Sequence, residues 1–143
     1  MAAALGLAGC AAAPPAPSVL TGDAAHPAVA AGWLRVELYF GVGTVAGDGS
    51  EPDAVAHEKR WRDFLDREVS PRFPDGLSVY DVYGQWRSRA RADIERLHSK
   101  ELMLLCEDTP QHRADMEAIR VAWKKLTGDE SVLRVIQRVD VSF

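Results

Sequence analysis

The chemically most specific residues of this chain are Leu-Ala-Gly-Cys at positions 7–10, which follow a short apolar run. The pattern is typical of a bacterial lipobox, in which a signal peptidase cleaves before Cys10 and the thiol carries a diacylglycerol anchor. Small residues at Ala8 and Gly9 fit this chemistry, because a bulky side chain would block the extended chain from the modifying enzymes. The motif therefore predicts a signal peptide at residues 1–9 and lipidation of Cys10.

The start of the chain departs from that pattern in one respect. Residues 1–9 contain no Lys or Arg, whereas a signal peptide opens with a positively charged segment. We therefore expect the true start of translation to lie upstream of Met1. The alternative is an Ala-rich tail in which Cys10 occurs by chance. In a Gram-negative host, Ala11 after the Cys would favour the outer membrane, with the protein facing the periplasm.

Composition separates a tether from a folded domain. Residues 10–32 are rich in Ala and Pro and almost free of charge, so they cannot bury enough apolar surface to offset the entropy of ordering. Residues 33–143 then form one small domain. No later apolar run approaches the roughly 20 residues of a membrane helix. The net charge of −4 argues against a general nucleic-acid binder. We expect contact with the membrane through the lipid anchor.

The segment from Gly41 to Ala46 matches the dinucleotide fingerprint G-x-G-x-x-A and follows a predicted strand. That chemistry requires a helix to begin inside the motif, so that its N-terminus meets the pyrophosphate. Here Gly47 and Gly49 keep the chain in a loop instead. We therefore expect no nucleotide cofactor at this position.

The remaining residues that could bind metal or react as a nucleophile are scattered. The four histidines have no metal-ligand spacing, and no Cys pair is available for zinc; they are His26, His57, His98 and His112. Cys106 ends an apolar run at residues 102–106, so we expect it to be buried rather than reactive. The sequence predicts no metal site and no catalytic residue.

Hydrophobic periodicity predicts the element order β-α-β-β-α-β. Period-two or apolar runs predict strands at residues 33–40, 77–86, 94–106 and 131–143. Pro52 favours the start of a first helix, and Thr109 with Pro110 favours the start of a second, which Gly128 ends. The helical stripes are Trp61, Phe64, Leu65 and Val69, then Met116, Ile119, Trp123 and Leu126.

This order is typical of the α+β, ferredoxin-like fold, with two helices on one face of a four-stranded antiparallel sheet. Right-handed crossovers place strands one and three at the centre of the sheet. The second and third strands form a hairpin with an Arg-rich tip, and Asp93 and Glu95 dilute the positive charge of that tip. One face of the sheet is left uncovered or paired with a partner.

That uncovered face carries the candidate binding residues. Arg35, Glu37 and Tyr39 alternate with the apolar residues of the first strand, and Arg134 takes the corresponding polar phase on the last strand. On the third strand, either Ser99 and Glu101 or Lys100 share this face, and the pattern leaves both phases open. The candidate face comprises Arg35, Glu37, Tyr39, Gln85, Trp86 and Arg134.

Three interpretations of this face remain: a cross-strand ion-pair network, a dimer interface, or a site for a small polar ligand. Glu37 and Glu101 could also form the acid–base pair of a glycosidase. Such a pair must flank a cleft, however, and a bare sheet offers none. The ion-pair network or dimer interface is the favoured interpretation.

Several stretches of the chain together resemble DUF3574, an uncharacterised bacterial lipoprotein family. The matching stretches lie at residues 35–41, 71–77, 84–86 and 130–135, together with Trp61, Phe64-Leu65-Asp66 and Ser99-Lys100. The resemblance covers nearly the whole predicted domain and implies a secreted, lipid-anchored domain. It implies no reaction.

The sequence therefore predicts a non-catalytic, lipid-anchored envelope protein whose open sheet face forms a homodimer or docks a partner. The alternative is a small-molecule binder or enzyme that uses Arg35, Glu37, Tyr39, Gln85 and Arg134.

Overall fold

The computed structural model describes residues 30–87 and 93–141, which form one sheet and two helices. Cys10, the predicted signal peptide and the hairpin-tip residues Arg89 and Arg91 lie outside the described residues. The elements are β1 (Ala30–Thr44), α1 (Ala54–Phe64), β2 (Ser78–Arg87), β3 (Ile94–Glu107), α2 (Pro110–Thr127) and β4 (Leu133–Val141). A π-helical segment, Leu65–Val69, continues α1. The predicted α+β order is confirmed.

The sheet order is β2-β3-β1-β4, and all three neighbouring pairs are antiparallel. The predicted central position of the first and third strands is confirmed, and so is the ferredoxin-like arrangement. α1 and α2 pack on one side of the sheet, where they share a single core with β1 and β3. In the described part of the chain, neither helix is long and apolar enough to cross a membrane.

Four aromatic rings fill the space between the sheet and the helices. Their centroids lie 4.8–5.9 Å apart in tilted or edge-to-face pairs, formed by Phe40, Trp61, Phe64 and Trp123. Such pairs each contribute about 0.5–1.5 kcal/mol beyond area burial. Leu126, expected in the stripe of α2, is instead 53% exposed and lies outside this core.

Local capping follows the sequence closely in α2. The Thr109 hydroxyl accepts a hydrogen bond from the His112 amide at 3.1 Å, and Pro110 occupies the first turn. Gly128 ends the helix with a left-handed φ of 81°, a conformation that costs glycine little. In α1, by contrast, Pro52 precedes the helix, which begins at Ala54.

β1 is longer than predicted at both ends. It begins at Ala30 instead of Trp33, so its first residues belong to the predicted tether. It also continues through the fingerprint-like segment to Thr44, with a change of register between Gly41 and Gly43. A Cβ on Gly43 would collide with the imidazole ring of His57 in α1. Glycine at this position therefore permits the close approach of α1 to the strand.

Candidate functional site

Cross-strand pairing settles which side chains share the uncovered side of the sheet, here called the open face. Leu38 lies opposite Leu102, and Phe40 lies opposite Lys100, so Lys100 shares the helix-covered side with the core. Because directly paired residues point to the same side, Glu101 shares the open face with Tyr39. Of the two phases that the sequence left open for the third strand, the one with Ser99 and Glu101 on the open face is correct.

A short polar chain runs along β1 at the middle of the open face. The Arg35 Nε lies 2.8 Å from the Glu37 Oε1, and the Tyr39 hydroxyl donates to the Glu37 Oε2 at 3.1 Å. Burial and the hydrogen bond to Glu37 raise the pKa of Tyr39, and the nearby Glu101 carboxylate raises it further. The Glu37 carboxylate is thus held from both sides, and Tyr39 remains a hydrogen-bond donor at neutral pH.

Apolar side chains flank this polar chain on both sides. Glu37 lies opposite Met103 on β3 and opposite Val135 on β4. The flanking residues that share the open face are Met103, Leu105, Leu133, Val135 and Val139. Leu133 is 60% exposed, so this apolar border is accessible to solvent or to a partner.

The placement of Arg134 on the open face is wrong. Arg134 lies opposite Leu38, and Arg138 opposite Leu34, which puts both on the helix-covered side. There Arg134 lies 3.5 Å from Glu117, and Arg138 lies 3.0 Å from Asp108. β4 is an edge strand, so a long side chain can leave the rim of the core and pair with a carboxylate beside α2. Leu133, Val135 and Val139 point to the open face instead, while Ile136 packs against the core.

Gln85 and Trp86 are neighbours on β2 and therefore point to opposite sides of the sheet. Trp86 lies opposite Glu95 and donates to its carboxylate at 3.1 Å. It shares the side of Glu101 but lies roughly 20 Å along the strand from it. Gln85 lies on the other side, like Arg134. The structure thus joins Arg35, Glu37 and Tyr39 and separates the other three candidates from them.

A depression beside the open face has a volume of about 520 Å³. It lies beside the polar chain, and its walls are Trp33, Asp75, Gly76, Leu77, Ser78, Met103 and Leu105. Neither Glu37 nor Glu101 lines it. This depression is therefore not the cleft between two carboxylates that a glycosidase pair requires.

A second polar cluster, which the sequence did not predict, lies on the helix-covered side and joins β2, β3 and α1. His98 contacts Glu51 through Nδ1 at 2.8 Å and Asp81 through Nε2 at 3.0 Å. The Lys100 ammonium lies 2.5 Å from Asp81 and 3.0 Å from Glu58. We call Glu51, Glu58, Asp81, His98 and Lys100 the His98 cluster.

The charges of the His98 cluster reinforce one another. Hydrogen bonds to Asp81 and to Glu51 raise the pKa of His98. Burial lowers the pKa of Lys100, but hydrogen bonds to Asp81 and Glu58 outweigh that effect and raise it. The same bonds lower the pKa of Asp81, first through Lys100 and then through His98. Because His98 on β3 contacts Glu51, the cluster connects the loop before α1 to the sheet.

The sequence did not predict the His98 cluster, because its members are far apart along the chain: Glu51 and His98 are separated by 47 positions. Neither the polar chain of the open face nor the His98 cluster is a candidate metal site. Among residues 30–87 and 93–141, no group of three His, Cys, Asp or Glu side chains could hold a metal ion.

Cys106 is buried, as expected, and burial raises the pKa of its thiol to about 11. The thiol is therefore protonated and unreactive at neutral pH.

Three comparisons relate the chain to known proteins. The sequence model of a family described as "Protein of unknown function (DUF3574)" matches residues 35–143, which confirms the resemblance to that family. No curated protein matches the chain. A solved structure of a phage SAM lyase in complex with S-methyl-5'-thioadenosine is similar, with a TM-score of 0.58 and 12% identity. The match covers 80% of this chain and 92% of the lyase chain, and it shows a shared fold.

Proposed function

The chain belongs to the DUF3574 family of proteins of unknown function, and we propose that it is a lipid-anchored protein of the bacterial cell envelope. In this proposal the folded domain is a non-catalytic module that pairs with a second copy through the open face. The lipobox at residues 7–10 supports the anchor. The composition of the open face supports the pairing.

The observation that carries the pairing is the apolar border of the open face. A sheet with one solvated face normally alternates apolar residues inward with polar residues outward. β4 departs from this pattern, because Leu133, Val135 and Val139 point away from the helices, although Ile136 packs against the core. Within the described residues, no helix or strand covers them. A partner surface would remove this apolar area from water.

We propose a second copy of the chain as the partner because the face carries both apolar residues and charges of each sign. In a two-fold interface each patch meets the same patch of its partner. The apolar borders can then pack together, while Arg35 and Glu37 supply one charge of each sign on each copy. The fixed Glu37 carboxylate would enter such an interface already paired, which limits the cost of removing it from water.

The oligomeric state tests this proposal. The full chain carrying Cys10→Ser, which cannot be lipidated, should be a dimer in native mass spectrometry and sedimentation at micromolar concentration. Val135→Asp should convert it to a monomer, because a charge would enter the apolar border. Val55→Asp, on the exposed surface of α1, is the matched control and should remain a dimer. A monomeric parent chain at about 100 μM would reject the pairing.

A second candidate function is the binding or conversion of a small molecule at the polar chain of the open face. The observation that favours it is the shared fold with a phage SAM lyase that was solved with S-methyl-5'-thioadenosine. Glu37, Tyr39 and Glu101 would supply carboxylate acceptors and a hydroxyl donor.

Calorimetric titration of the Cys10→Ser chain with S-methyl-5'-thioadenosine tests the second candidate. If the polar chain binds this nucleoside, binding should be saturable, and Glu37→Gln should abolish it without changing the unfolding transition of the domain. If no heat of binding is detected at millimolar nucleoside, the second candidate function is rejected and only the pairing function remains. If Glu37→Gln unfolds the domain, Glu37 is structural.

A further inference from the structure

The outer surface of the helical layer carries a groove between α1 and α2, on the side of the molecule opposite the open face. Its volume is about 550 Å³. Phe64 and Leu126 give it an apolar interior, and charged side chains surround them. The charged residues that line the groove are Lys59, Arg60, Asp63, Arg67, Glu68 and Lys125.

The groove is positively charged although the chain as a whole has a net charge of −4. Its two acidic residues are neutralised: Asp63 pairs with Lys59 at 2.6 Å, and Glu68 pairs with Arg72 at 3.0 Å. Within the described part of the chain, Arg60 and Lys125 form no ion pair. Two positive charges therefore face solvent without a partner beside an apolar floor.

Aliphatic side chains are also exposed on the same two helices, and one of them, Leu126, lines the groove. Val121 and Leu126 on α2 are 54% and 53% exposed, and Val55 at the start of α1 is 86% exposed. A helical surface that mixes exposed aliphatic residues with Lys and Arg is typical of proteins that lie on the headgroup region of a bilayer. The long cationic side chains can reach phosphates while their stems stay against apolar surface.

We propose that this groove and its rim, the helix groove surface, dock the domain on a bilayer that contains anionic phospholipid. The charge complementarity carries the choice of occupant, since each Lys or Arg near an anionic membrane surface strengthens binding roughly fivefold. The inference goes beyond the proposed pairing, because it uses the opposite side of the molecule. Docked in this way, the domain presents its open face away from the membrane, where a second copy can reach it.

The lipid on Cys10 is not needed for this docking. The chain between Cys10 and Ala30 can span at most about 70 Å at 3.3–3.6 Å per residue, which is several times the roughly 13 Å radius of gyration of a domain of this size. In this proposal the helix groove surface, not the position of the anchor, sets the orientation of the domain on the membrane.

Vesicle cosedimentation of the full chain carrying Cys10→Ser tests the docking without the lipid. At low ionic strength the protein should bind vesicles of equal parts phosphatidylglycerol and phosphatidylcholine, and it should not bind pure phosphatidylcholine. Arg60→Glu and Lys125→Glu should each weaken binding at least fivefold. Arg96→Glu, an equal change of charge on β3 outside the groove, should leave binding within twofold of the parent.

The docking is overturned if the parent chain does not sediment with anionic vesicles, or if Arg60→Glu and Lys125→Glu bind like the parent. An equal loss in Arg96→Glu would also overturn it, because net charge alone would then explain binding. Displacement by 10 mM inorganic phosphate (about ten times a weak millimolar Kd) would reassign the groove to a soluble anion. The Val135→Asp chain should still bind vesicles, so a failure of docking and a failure of pairing can be told apart.

Discussion

Phe40 and Lys100 lie directly opposite each other on the two central strands, so an ammonium group shares the helix-covered side of the sheet with the aromatic core. The side chain of Lys100 is only 9% exposed, and its ammonium is held by Asp81 and Glu58 at the rim of that core. Through this pair, the apolar core of the domain adjoins the His98 cluster.

Replacing Lys100 should destabilise the domain more than replacing an exposed lysine does, because its side chain is buried. Lys100→Met keeps the apolar stem but leaves Asp81 and Glu58 without their cation. We expect a loss of about 1–2 kcal/mol in the free energy of unfolding, since hydrogen bonds between charged groups are strong but both carboxylates are partly exposed and screened. Urea unfolding measures the change. The matched control is Lys124→Met on the exposed surface of α2, which should cost less than about 0.5 kcal/mol.

The stability contributed by His98 should depend on pH in a defined direction. Hydrogen bonds to Asp81 and Glu51 raise the pKa of His98 above its ordinary 6.5 in the folded state. The contribution is therefore fully present below the unfolded pKa and is lost as the pH rises through the folded pKa. The difference in unfolding free energy between the parent and His98→Gln should be larger at about pH 5.5 than at about pH 8.5. A difference that is constant across this range would contradict the assignment, and Asp81→Asn should reduce the pH dependence.

The close approach of α1 to β1 predicts a specific intolerance at Gly43. In Gly43→Ala the new methyl group would collide with the His57 ring, so we expect a loss of about 1–3 kcal/mol. Gly47→Ala is the control, because a Cβ there meets nothing within 4 Å. If the collision is the cause, His57→Ala should recover most of the loss in a double-mutant cycle measured by urea unfolding. An additive double mutant would reject it.

The lipid anchor predicts a chemical modification at Cys10. In cells labelled with a tagged fatty acid, the parent protein should carry the tag and fractionate with membranes. Cys10→Ser should carry no tag. Cys106→Ser should still be labelled, because it retains Cys10 and because the buried Cys106 is not the acylated residue. Loss of the tag in both variants, or in neither, would contradict lipidation at Cys10. Any vesicle binding that Cys10→Ser retains would then report the helix groove surface.

The sequence by itself determined the element order, because that order depends on local signals. Alternation marked β1, helical spacing marked the stripe of Trp61 and Phe64, and Thr109 and Gly128 marked the ends of α2. Each signal involves neighbours within one or two turns of the chain, where backbone geometry and capping act directly. The ferredoxin-like topology then followed from handedness and short connections.

The tertiary structure alone decided which side of the sheet the polar residues of β3 and β4 take. Alternation fixes that Arg134 and Val135 point to opposite sides, but it does not say which side the helices cover. On the edge strand β4 the ordinary preference was reversed, since Arg134 could reach Glu117 at the rim of the core. Long-range pairing likewise brought His98 to Glu51 across 47 positions. Contacts of this kind depend on packing between distant segments, and no local pattern in the sequence encodes them.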